Sequence, residues 1–445
     1  MTISEISKQV AEDYNSLAAT IEATSSIHFP PQAKKSLRLF SASEAANLVG
    51  VTTRYLAMTA EEINLELIRH GKANSRNYSL SQINQIRKHL AVKAGWETEK
   101  GFSYDPVRRE NEGLAVVAAV NFKGGSAKST TSAHFAQYAA LKGYRVLMLD
   151  LDPQASASSI FGKVPEYLEE DESLYAALRY DNPLSLSEVA QKTYFENIDL
   201  VPSGRWVSDW EYDAPRVATE AKLIERQIAE ELEQINIRLK SPNLNNDQFE
   251  KIQATQQELA KQLTASTVEK FYFMRLQMAL TDVADDYDIV VCDTAPNLGY
   301  LSNAAIFAAN HLLVTIHPHW LDCESMAQYL ASFQQHQSDL ENAVRRSLGA
   351  EYLTDKTLHY LVTRHDTTSA PEAQVVAMLR SQLSNVLTNV LVRSSAITEA
   401  GTYQQTVYEA ERAKFNGKTY DRAAESLNAV NAEIEAIIQK GWGRS

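Results

Sequence analysis

The fold of this chain is decided by the stretch NFKGGSAKSTTSAHFAQY, which runs from Asn121 to Tyr138. An apolar run, LAVVAAVN, leads into its glycines, and residues with helical spacing follow them. A strand, a glycine loop and a helix are the setting of phosphate-binding loops, in which backbone N–H groups converge on one anion. The common loop, G-x-x-x-x-G-K-[ST], has glycine where this sequence has Phe122 and Ala127.

The loop nevertheless carries the three groups that a phosphate site requires. Gly124 and Gly125 allow close backbone approach, Lys128 supplies positive charge, and Ser129 offers a hydroxyl for Mg²⁺. A further lysine, Lys123, stands where the common pattern fixes no residue. The sequence therefore predicts a nucleotide site of a different kind, rather than a broken one or a chance glycine-rich turn.

Short apolar runs alternate with helical patterns from Gly113 onward. RVLMLD and DIVVCD end in Asp150 and Asp293, and LLVTIHP and YLVTR follow them. This alternation is typical of an α/β fold with a mostly parallel sheet covered by helices on both faces. Ligands bind such sheets at the carboxyl ends of the strands, where the loop and both aspartates fall. We therefore predict a P-loop domain over residues 113–445.

A segment within this domain has a different pattern. Apolar residues between Pro215 and Val268 follow three- and four-residue steps, interrupted by SPNLNN. The pattern predicts a helical hairpin inserted over about residues 215–268. Its role is either packing on its own domain, which we favour because apolar stripes mostly serve burial, or binding a partner.

The charge is unevenly distributed along the chain. The net charge is −13, which argues against a surface that binds nucleic acid everywhere. Residues 28–93 nevertheless contain ten Lys/Arg and four Asp/Glu, a local charge of +6. A small basic module is therefore joined to a larger acidic one.

The basic module has the pattern of two crossed helices followed by a loop and a third helix. LFSASEAANLVGVTTRYLAMTA predicts helices joined by a turn at Gly50, the first capped by Ser41 or Ser43. Residues 37–112 resemble the winged helix-turn-helix of MerR-like repressors; the alternative is a small helical domain with a solvated basic face. The candidate DNA contacts are Thr52, Thr53, Arg54, Tyr55, Lys72 and Arg76.

The remaining N-terminal stretch and the composition set further limits. Residues 1–36 have helical spacing that stops before Pro30, which predicts either a partly ordered arm or a dimerisation helix. The two cysteines, Cys292 and Cys323, cannot build a disulfide framework or a zinc cluster, which suits a reducing cytosol. The N-terminus lacks the features of a signal peptide, and no apolar run approaches the roughly 20 residues of a membrane span. We expect a cytoplasmic protein without a membrane partner.

Several motifs stand in the order found in the ParA/MinD family of ATPases. KGGSAKS, from Lys123, resembles the family's deviant Walker A motif, K-G-G-x-G-K-[ST]. LDLDPQASASSIFG resembles its second motif, IVVCDTAPNLGYLSNAA its Walker B strand and loop, and YLVTRHD and LVRSSAITEAG its late strands. The resemblance covers nearly the whole chain except residues 215–268. It is nearest to large plasmid-partition ParA proteins, particularly the RepA proteins of repABC-type replicons.

The resemblance implies ATP and Mg²⁺ as ligands and assigns the site residues. Ser129 would coordinate Mg²⁺, Asp293 would bind it through water, and Asp150 would support the site. Asp152 would position or activate the attacking water, although both Asp150 and Asp152 could instead cap the turn before Pro153. Lys123 would reach across a nucleotide-sandwich dimer to the partner's phosphates. The implied nucleotide contacts are Lys123, Gly124, Gly125, Ser126, Ala127, Lys128, Ser129 and Thr130.

Two positions depart from the family pattern, one in the phosphate loop and one among the residues for DNA binding. Ala127 replaces the last glycine of the motif, and a left-handed backbone there costs alanine on the order of 1 kcal/mol. This is less than one charge-assisted phosphate contact, worth roughly 1.5–3 kcal/mol. Among candidates for non-specific DNA binding, Arg393 matches a basic family position, but Ala396 stands at the next one. The other candidates are Arg345, Arg346, Arg364 and Arg380.

These inferences lead to two main hypotheses. The first is a bacterial DNA-segregation ATPase that dimerises on ATP and binds DNA non-specifically in the nucleoid. A ParB-like or RepB-like centromere-binding partner would stimulate it, and residues 38–93 would repress its own operon by binding an operator. The second is a transcription repressor whose degenerate ATPase core only senses nucleotide, as Ala127 would allow. A nitrogenase-like or membrane-tethered relative fits less well, because cluster cysteines and a basic amphipathic C-terminus are missing from the sequence.

Overall fold

The computed structural model describes residues 35–444 except 67, 71–74 and 240–245, and, nearer the N-terminus, residues 6, 8–13, 15–17 and 20. In the predicted N-terminal arm, the described residues 6, 8–13, 15–17 and 20 are helical, residues 35 and 36 are not, and the rest of the arm lies outside the described residues. Lys72, a candidate DNA contact, also lies outside them.

A seven-stranded sheet forms the centre of the molecule. The strands are β4 (Ala115–Val120), β5 (Val146–Leu151), β6 (Gln191–Lys192), β7 (Ile198–Val201), β8 (Ile289–Thr294), β9 (His311–Ile316) and β10 (Thr357–Val362). Their order in the sheet is β10-β9-β4-β8-β5-β7-β6, and every pairing is parallel except that of β6 with β7. β4, β5, β7, β8 and β9 are buried throughout because their mostly apolar residues are covered on both faces, whereas only the second half of β10 is buried.

Helices cover both faces of this sheet, which confirms the predicted α/β fold. Successive residues of β4 belong to different apolar clusters, Val116 to one and Val117 to the other. One cluster includes α5 (Lys128–Lys142), α15 (Ser395–Thr402) and α16 (Gly417–Gly441). The other is covered by α7 (Leu174–Leu178), α8 (Leu186–Val189), α9 (Arg205–Leu239), α11 (Arg275–Leu280), α12 (Tyr300–Ala308), α13 (Trp320–Ser347) and α14 (Ala370–Gln382). A short helix, α6 (Ser156–Ile160), follows β5.

The N-terminal region contains two short helices joined by a tight turn. Gly50 adopts φ 78° at this turn, and Ser41 caps the first helix in a capping box with Glu44. The elements of the region are β1 (Phe40–Ser41), α1 (Ala42–Val49), α2 (Thr53–Glu62), β2 (Ile68–His70), β3 (Ser75–Tyr78), α3 (Leu80–Ala94) and α4 (Glu99–Tyr104). The three strands form an antiparallel sheet of order β1-β3-β2.

This region packs directly on the central domain. Its apolar residues, including Leu56 and Ile83, share one cluster with residues of the sheet and of α5. Arg87 on α3 is 2% exposed and donates to the backbone carbonyl of Leu48 at 2.5 Å and of Leu141, near the end of α5, at 2.7 Å. The sequence pattern changes at residues 112 and 113, but the apolar core is continuous from the N-terminal region into the central domain.

The inserted hairpin consists of α9 and α10 (Asn246–Lys270). α9 begins at Arg205, ten residues before the start indicated by the sequence, and Pro215 lies inside it. The two helices contact each other through Ser266, which donates to the Ala221 carbonyl at 2.8 Å, and through the Lys270–Glu225 ion pair at 2.9 Å. Among the described helices, none is both long and apolar enough to cross a membrane.

Candidate nucleotide site

The glycine loop joins β4 to α5 at the carboxyl edge of the sheet, where the sequence places it. Gly125 has φ 77° and Ala127 has φ 68°, so both lie in the left-handed region. Ala127 is the residue immediately before the first turn of α5. The left-handed backbone considered for Ala127 is therefore present, at a cost of about 1 kcal/mol relative to glycine.

Neighbouring strands hold the loop in this shape. Thr315, at the end of β9, donates to Ser126 Oγ at 3.0 Å, and Thr363, just after β10, donates to the Ser126 carbonyl at 3.0 Å. Arg364 Nη1 donates to the Gly125 carbonyl at 3.0 Å. Three side chains from two strands thus anchor the two residues that precede Ala127, so a phosphate meets a backbone already in place.

Lys128 is buried beneath the loop beside two acidic residues. Only 7% of it is exposed, and its Nζ lies 3.5 Å from the Lys123 carbonyl. Burial lowers the pKa of Lys128, and the charges of Asp293 and Asp152 oppose this change. A partly desolvated ammonium is a strong partner for phosphate oxygens, because little water has to be displaced from it.

Asp293 and Asp150 end adjacent strands and face each other in register. Burial, followed by the charge of Asp150, raises the pKa of Asp293 to about 8. Its Oδ2 is buried and has no hydrogen-bond partner among the described residues, while Ser132 lies 3.3 Å from Oδ1. A hydroxyl, from Ser129, and an unsatisfied carboxylate oxygen are the ligands that Mg²⁺ prefers. The residues present therefore fit the predicted metal.

Three hydrogen bonds hold the carboxylate of Asp150 in place. Its Oδ2 accepts hydrogen bonds from both the backbone N–H and the hydroxyl of Ser158 at 2.7 Å, and its Oδ1 accepts from the Asp152 N–H at 3.2 Å. Burial raises its pKa to about 6. These contacts anchor the segment after β5, so they favour a supporting role for Asp150.

The Asp152 carboxylate lies at the turn that follows β5. Its Oδ1 accepts the Gln154 N–H at 2.9 Å, so it does cap the turn at Pro153. It also lies close enough to Lys128 for its charge to affect the pKa of that lysine. Capping fixes the carboxylate near the phosphate loop, which is compatible with positioning a water molecule.

Lys123 contacts Asp322, whereas Lys128 lies near Asp293 and Asp152. Its ammonium forms an ion pair with Asp322 on α13, whose Oδ2 also lies 3.1 Å from His317 Nδ1. The side chain of Lys123 is 43% exposed, whereas that of Asp322 is 12% exposed. A cavity of about 130 Å³ opens beside this pair, lined by Asn121, Lys123, Gly124, Gly125, Ser126, Ile316, His317, Asp322, Met326 and Arg364.

The described candidate DNA contacts do not form one surface. Thr52, Thr53, Arg54 and Tyr55 are exposed at the start of α2, where Thr52 caps the helix by accepting the Tyr55 N–H at 3.2 Å. Arg76 on β3 pairs with Glu61 at 3.3 Å, and Arg393 pairs with Glu372 at 3.2 Å. Lys72 lies outside the described residues.

Sequence reasoning missed the residues that support the loop. It gave no role to Asp322, His317, Thr315 or Thr363, and it considered Arg364 only for DNA. For Thr315, His317, Thr363 and Arg364 the signal was present, because polar residues at or just after the ends of the apolar runs LLVTI and YLV fall at the ligand-binding edge of a parallel sheet. Asp322 gives no such signal, since it lies in the first turn of a helix.

The loop, the buried lysine and the paired carboxylates define a nucleotide-binding protein of the P-loop class. The model of the CobQ/CobB/MinD/ParA nucleotide binding domain matches residues 117–407, and the chain belongs to this family. The prediction of a ParA-type protein is thereby confirmed, and ATP with Mg²⁺ agrees with a family defined by its nucleotide-binding domain.

Two relatives cover almost the whole chain. A protein of Rhizobium rhizogenes named "Putative replication protein A" is 36% identical over 433 residues, 97% of this chain and 94% of the relative. A protein of the same name from Sinorhizobium fredii is 37% identical over 98% of this chain and 94% of its own length. A solved structure described as "Partition Protein" has 18% identity and a TM-score of 0.51 over 93% of this chain and 99% of its own, which supports the fold.

Proposed function

We propose that this protein is an ATP-dependent DNA-segregation ATPase that partitions plasmids. The observation that carries the proposal is the phosphate loop with two lysines in different settings. Lys128 is buried beside Asp293 and Asp152, while Lys123 is partly exposed and paired with Asp322. The long relatives named as replication proteins favour a plasmid role over a metabolic one.

The site would act by charge compensation and positioning. The loop N–H groups and Lys128 would hold the β- and γ-phosphates, because phosphoryl transfer is catalysed chiefly by stabilising the charge on its equatorial oxygens. Ser129 and Asp293 would hold Mg²⁺, which supplies further charge neutralisation when bound. Asp152 would position a water molecule, whose oxygen bonds to the γ-phosphorus as the bond to the β-phosphate oxygen breaks. The products are ADP and inorganic phosphate.

Dimerisation on ATP would use the second lysine. A side chain that is 43% exposed and held by an ion pair is able to leave its own subunit. Lys123 would then contact the phosphates bound by the partner subunit. Hydrolysis would remove the γ-phosphate and favour the return of Lys123 to Asp322.

DNA binding would use two surfaces in different nucleotide states. The exposed residues at the start of α2 lie where a recognition helix meets base edges, which supports operator binding and repression of the protein's own operon. Arg393 would bind the DNA backbone non-specifically in the ATP dimer. A ParB-like or RepB-like centromere-binding partner would stimulate hydrolysis, and the protein would work in the bacterial cytoplasm on the nucleoid.

ATP turnover and DNA binding together test this proposal. We expect slow turnover that rises with DNA and the cognate partner, and non-specific DNA binding that requires ATP. Lys128→Ala should abolish both, whereas Lys222→Ala, an exposed lysine on α9, should leave them unchanged. Equal DNA binding with ATP, ADP and no nucleotide would rule out the segregation mechanism.

A nucleotide-sensing repressor is the second candidate function. Ala127 favours it, because alanine stands in a left-handed loop position where the family pattern has glycine. The two functions differ in turnover. ATP binding without hydrolysis, in the presence of DNA and partner, would support the repressor.

A further inference from the structure

Two histidines and a glutamate form a cluster beside the phosphate loop. His317 and His319 follow β9, and Glu372 lies in the first turn of α14. One potential ligand atom from each residue lies within 4.8 Å of the other two. We propose that His317, His319 and Glu372 bind a divalent transition-metal ion, for which zinc is the best match. The proposal depends on this geometry alone and holds whether or not the chain hydrolyses ATP.

The spacing of the ligand atoms suits a tetrahedral ion. Zinc binds imidazole nitrogen and carboxylate oxygen at about 2.0–2.2 Å, which sets neighbouring ligand atoms about 3.3 Å apart. His319 Nε2 and Glu372 Oε1 already lie 3.3 Å apart. The rings of His317 and His319 lie with their centroids 3.9 Å apart, so a small movement of His317 completes the set.

Asp322 orients the imidazole ring of His317. Asp322 Oδ2 lies 3.1 Å from His317 Nδ1, which fixes the ring and leaves Nε2 for the metal. That Nε2 is buried and has no hydrogen-bond partner among the described residues. A buried polar atom without a partner is unfavourable in a folded protein, and coordination of an ion would remove the deficit.

Glu372 is also held in place. The backbone N–H of Asp366 donates to its Oε2 at 2.7 Å, and Arg393 donates to its Oε1 at 3.2 Å. Its side chain is 7% exposed. Arg393 therefore orients the carboxylate and would compete with an ion for the same oxygen. Metal binding would displace Arg393 from Glu372.

The class of ion follows from the donor set. Two imidazoles and one carboxylate suit zinc or a similar transition metal, whereas Mg²⁺ prefers oxygen ligands in an octahedral arrangement. The cluster is therefore chemically distinct from the predicted Mg²⁺ position at Ser129 and Asp293. Three protein ligands leave a fourth position for water or for a group from another molecule.

The same contacts also fit an ordinary ion pair, and one residue separates the two interpretations. A pairing of His319 and Arg393 with Glu372 does not require His317. A metal site loses one of its three ligands when His317 is removed. The His317 variant therefore decides between them.

Metal titration of the full-length, nucleotide-free protein tests the site. We expect one equivalent of Co²⁺ to give the visible absorption of a low-coordinate site, and Zn²⁺ to displace it. His319→Ala is the first variant, because its side chain is 50% exposed and its loss should not affect folding. His319→Ala and His317→Ala should each weaken Zn²⁺ binding about tenfold or more.

A matched control lies in the N-terminal region. His89 and Glu62 form another histidine–carboxylate pair at 3.3 Å, so His89→Ala should leave Zn²⁺ affinity unchanged. Arg393→Gln should tighten binding, because it removes the competitor for Glu372. The proposal is overturned if wild type binds no stoichiometric Co²⁺ or Zn²⁺, if folded His317→Ala binds as wild type, or if Mg²⁺ displaces the ion at equal concentration.

Discussion

The Lys123 ammonium and the Asp322 carboxylate form an ion pair at the edge of the phosphate loop. Lys123 is the residue that would cross to the partner subunit in the proposed ATP dimer. Asp322 is mostly buried and also contacts His317. The pair therefore holds Lys123 on its own subunit until a stronger anion, such as a partner-bound phosphate, replaces the carboxylate.

Removing the carboxylate should favour the dimer. Asp322→Asn frees Lys123, and an ion pair with a partly exposed member contributes roughly 0.2–1 kcal/mol. Because each of the two subunits loses one such pair, the ATP-dependent dimer should become about 2- to 30-fold tighter, as measured by analytical ultracentrifugation. Asp339→Asn, on the exposed side of the same helix, is the control. A weaker dimer in Asp322→Asn would show that the pair does not oppose dimerisation.

The two lysines of the loop should have separable effects. Lys128→Ala should weaken ATP binding by the monomer about 10- to 150-fold, because it removes a charge-assisted contact worth roughly 1.5–3 kcal/mol. Lys123→Ala should leave monomer affinity nearly unchanged and prevent dimerisation. Fluorescent-nucleotide binding at low protein concentration measures the first effect, and sedimentation measures the second. Equal loss of monomer affinity in both variants would contradict the assignment.

Glycine at position 127 should relieve local strain. Ala127→Gly removes the left-handed penalty, so the free energy of unfolding should rise by up to about 1 kcal/mol. ATP affinity should stay unchanged, because the loop already has this backbone without nucleotide. Ala155→Gly is a matched control, because Ala155 has φ 52° in a different segment and should gain similar stability in urea unfolding. A change in ATP affinity for Ala127→Gly alone would show that the alanine methyl group affects the bound nucleotide.

The stability of the nucleotide-free protein should depend on pH through Asp293. Its pKa is raised to about 8, chiefly by burial, so the folded state keeps a proton that the unfolded chain releases near pH 4. The free energy of unfolding should therefore fall as pH rises toward and through 8, by at most about 1.4 kcal/mol per pH unit from this carboxyl. Urea unfolding between pH 6 and 9 measures the slope.

Asp293→Asn provides the comparison for this pH dependence. The amide has no proton to lose, so the variant should show a flatter profile and greater relative stability above pH 8. Mg²⁺ and nucleotide should flatten the wild-type profile as well, because a bound cation compensates the carboxylate charge. Wild-type stability that increases from pH 6 to 9 would contradict the assigned pKa.

The contact between the N-terminal region and the sheet depends strongly on one side chain. Arg87→Met removes the donors that satisfy the Leu48 and Leu141 carbonyls and should destabilise the protein by about 2–4 kcal/mol. Lys88→Met, an exposed neighbour on the same helix, should change stability by less than about 0.5 kcal/mol. Urea unfolding followed by circular dichroism distinguishes them. Similar stability of both variants would mean that Arg87 is not essential to this contact.

Local patterns predicted the parts of the fold that are local in sequence. The apolar runs ending in Asp150 and Asp293 are strands, and the loop lies between a strand and a helix, because burial and helix spacing act over a few residues. Gly50 makes the expected turn, since its left-handed conformation suits glycine. The role of the N-terminal region in binding DNA stays a prediction.

The long-range contacts could not be predicted in the same way. Lys123 and Asp322 are distant in sequence, as are His319 and Glu372, and only the packing of α13 and α14 against the loop brings them together. Pro215 indicated a helix start, but α9 begins at Arg205 because Trp210 is fully buried and donates to the Leu178 carbonyl at 2.9 Å. Tertiary burial outweighed the local preference of proline.

The helix that starts at the phosphate loop ends at the N-terminal region. α5 has 15 residues and is therefore a rod about 22 Å long, with Lys128 at one end and the Leu141 carbonyl, held by Arg87, near the other. A shift of the loop that moved α5 along its axis would therefore also move the Leu141 carbonyl to which Arg87 of α3 donates.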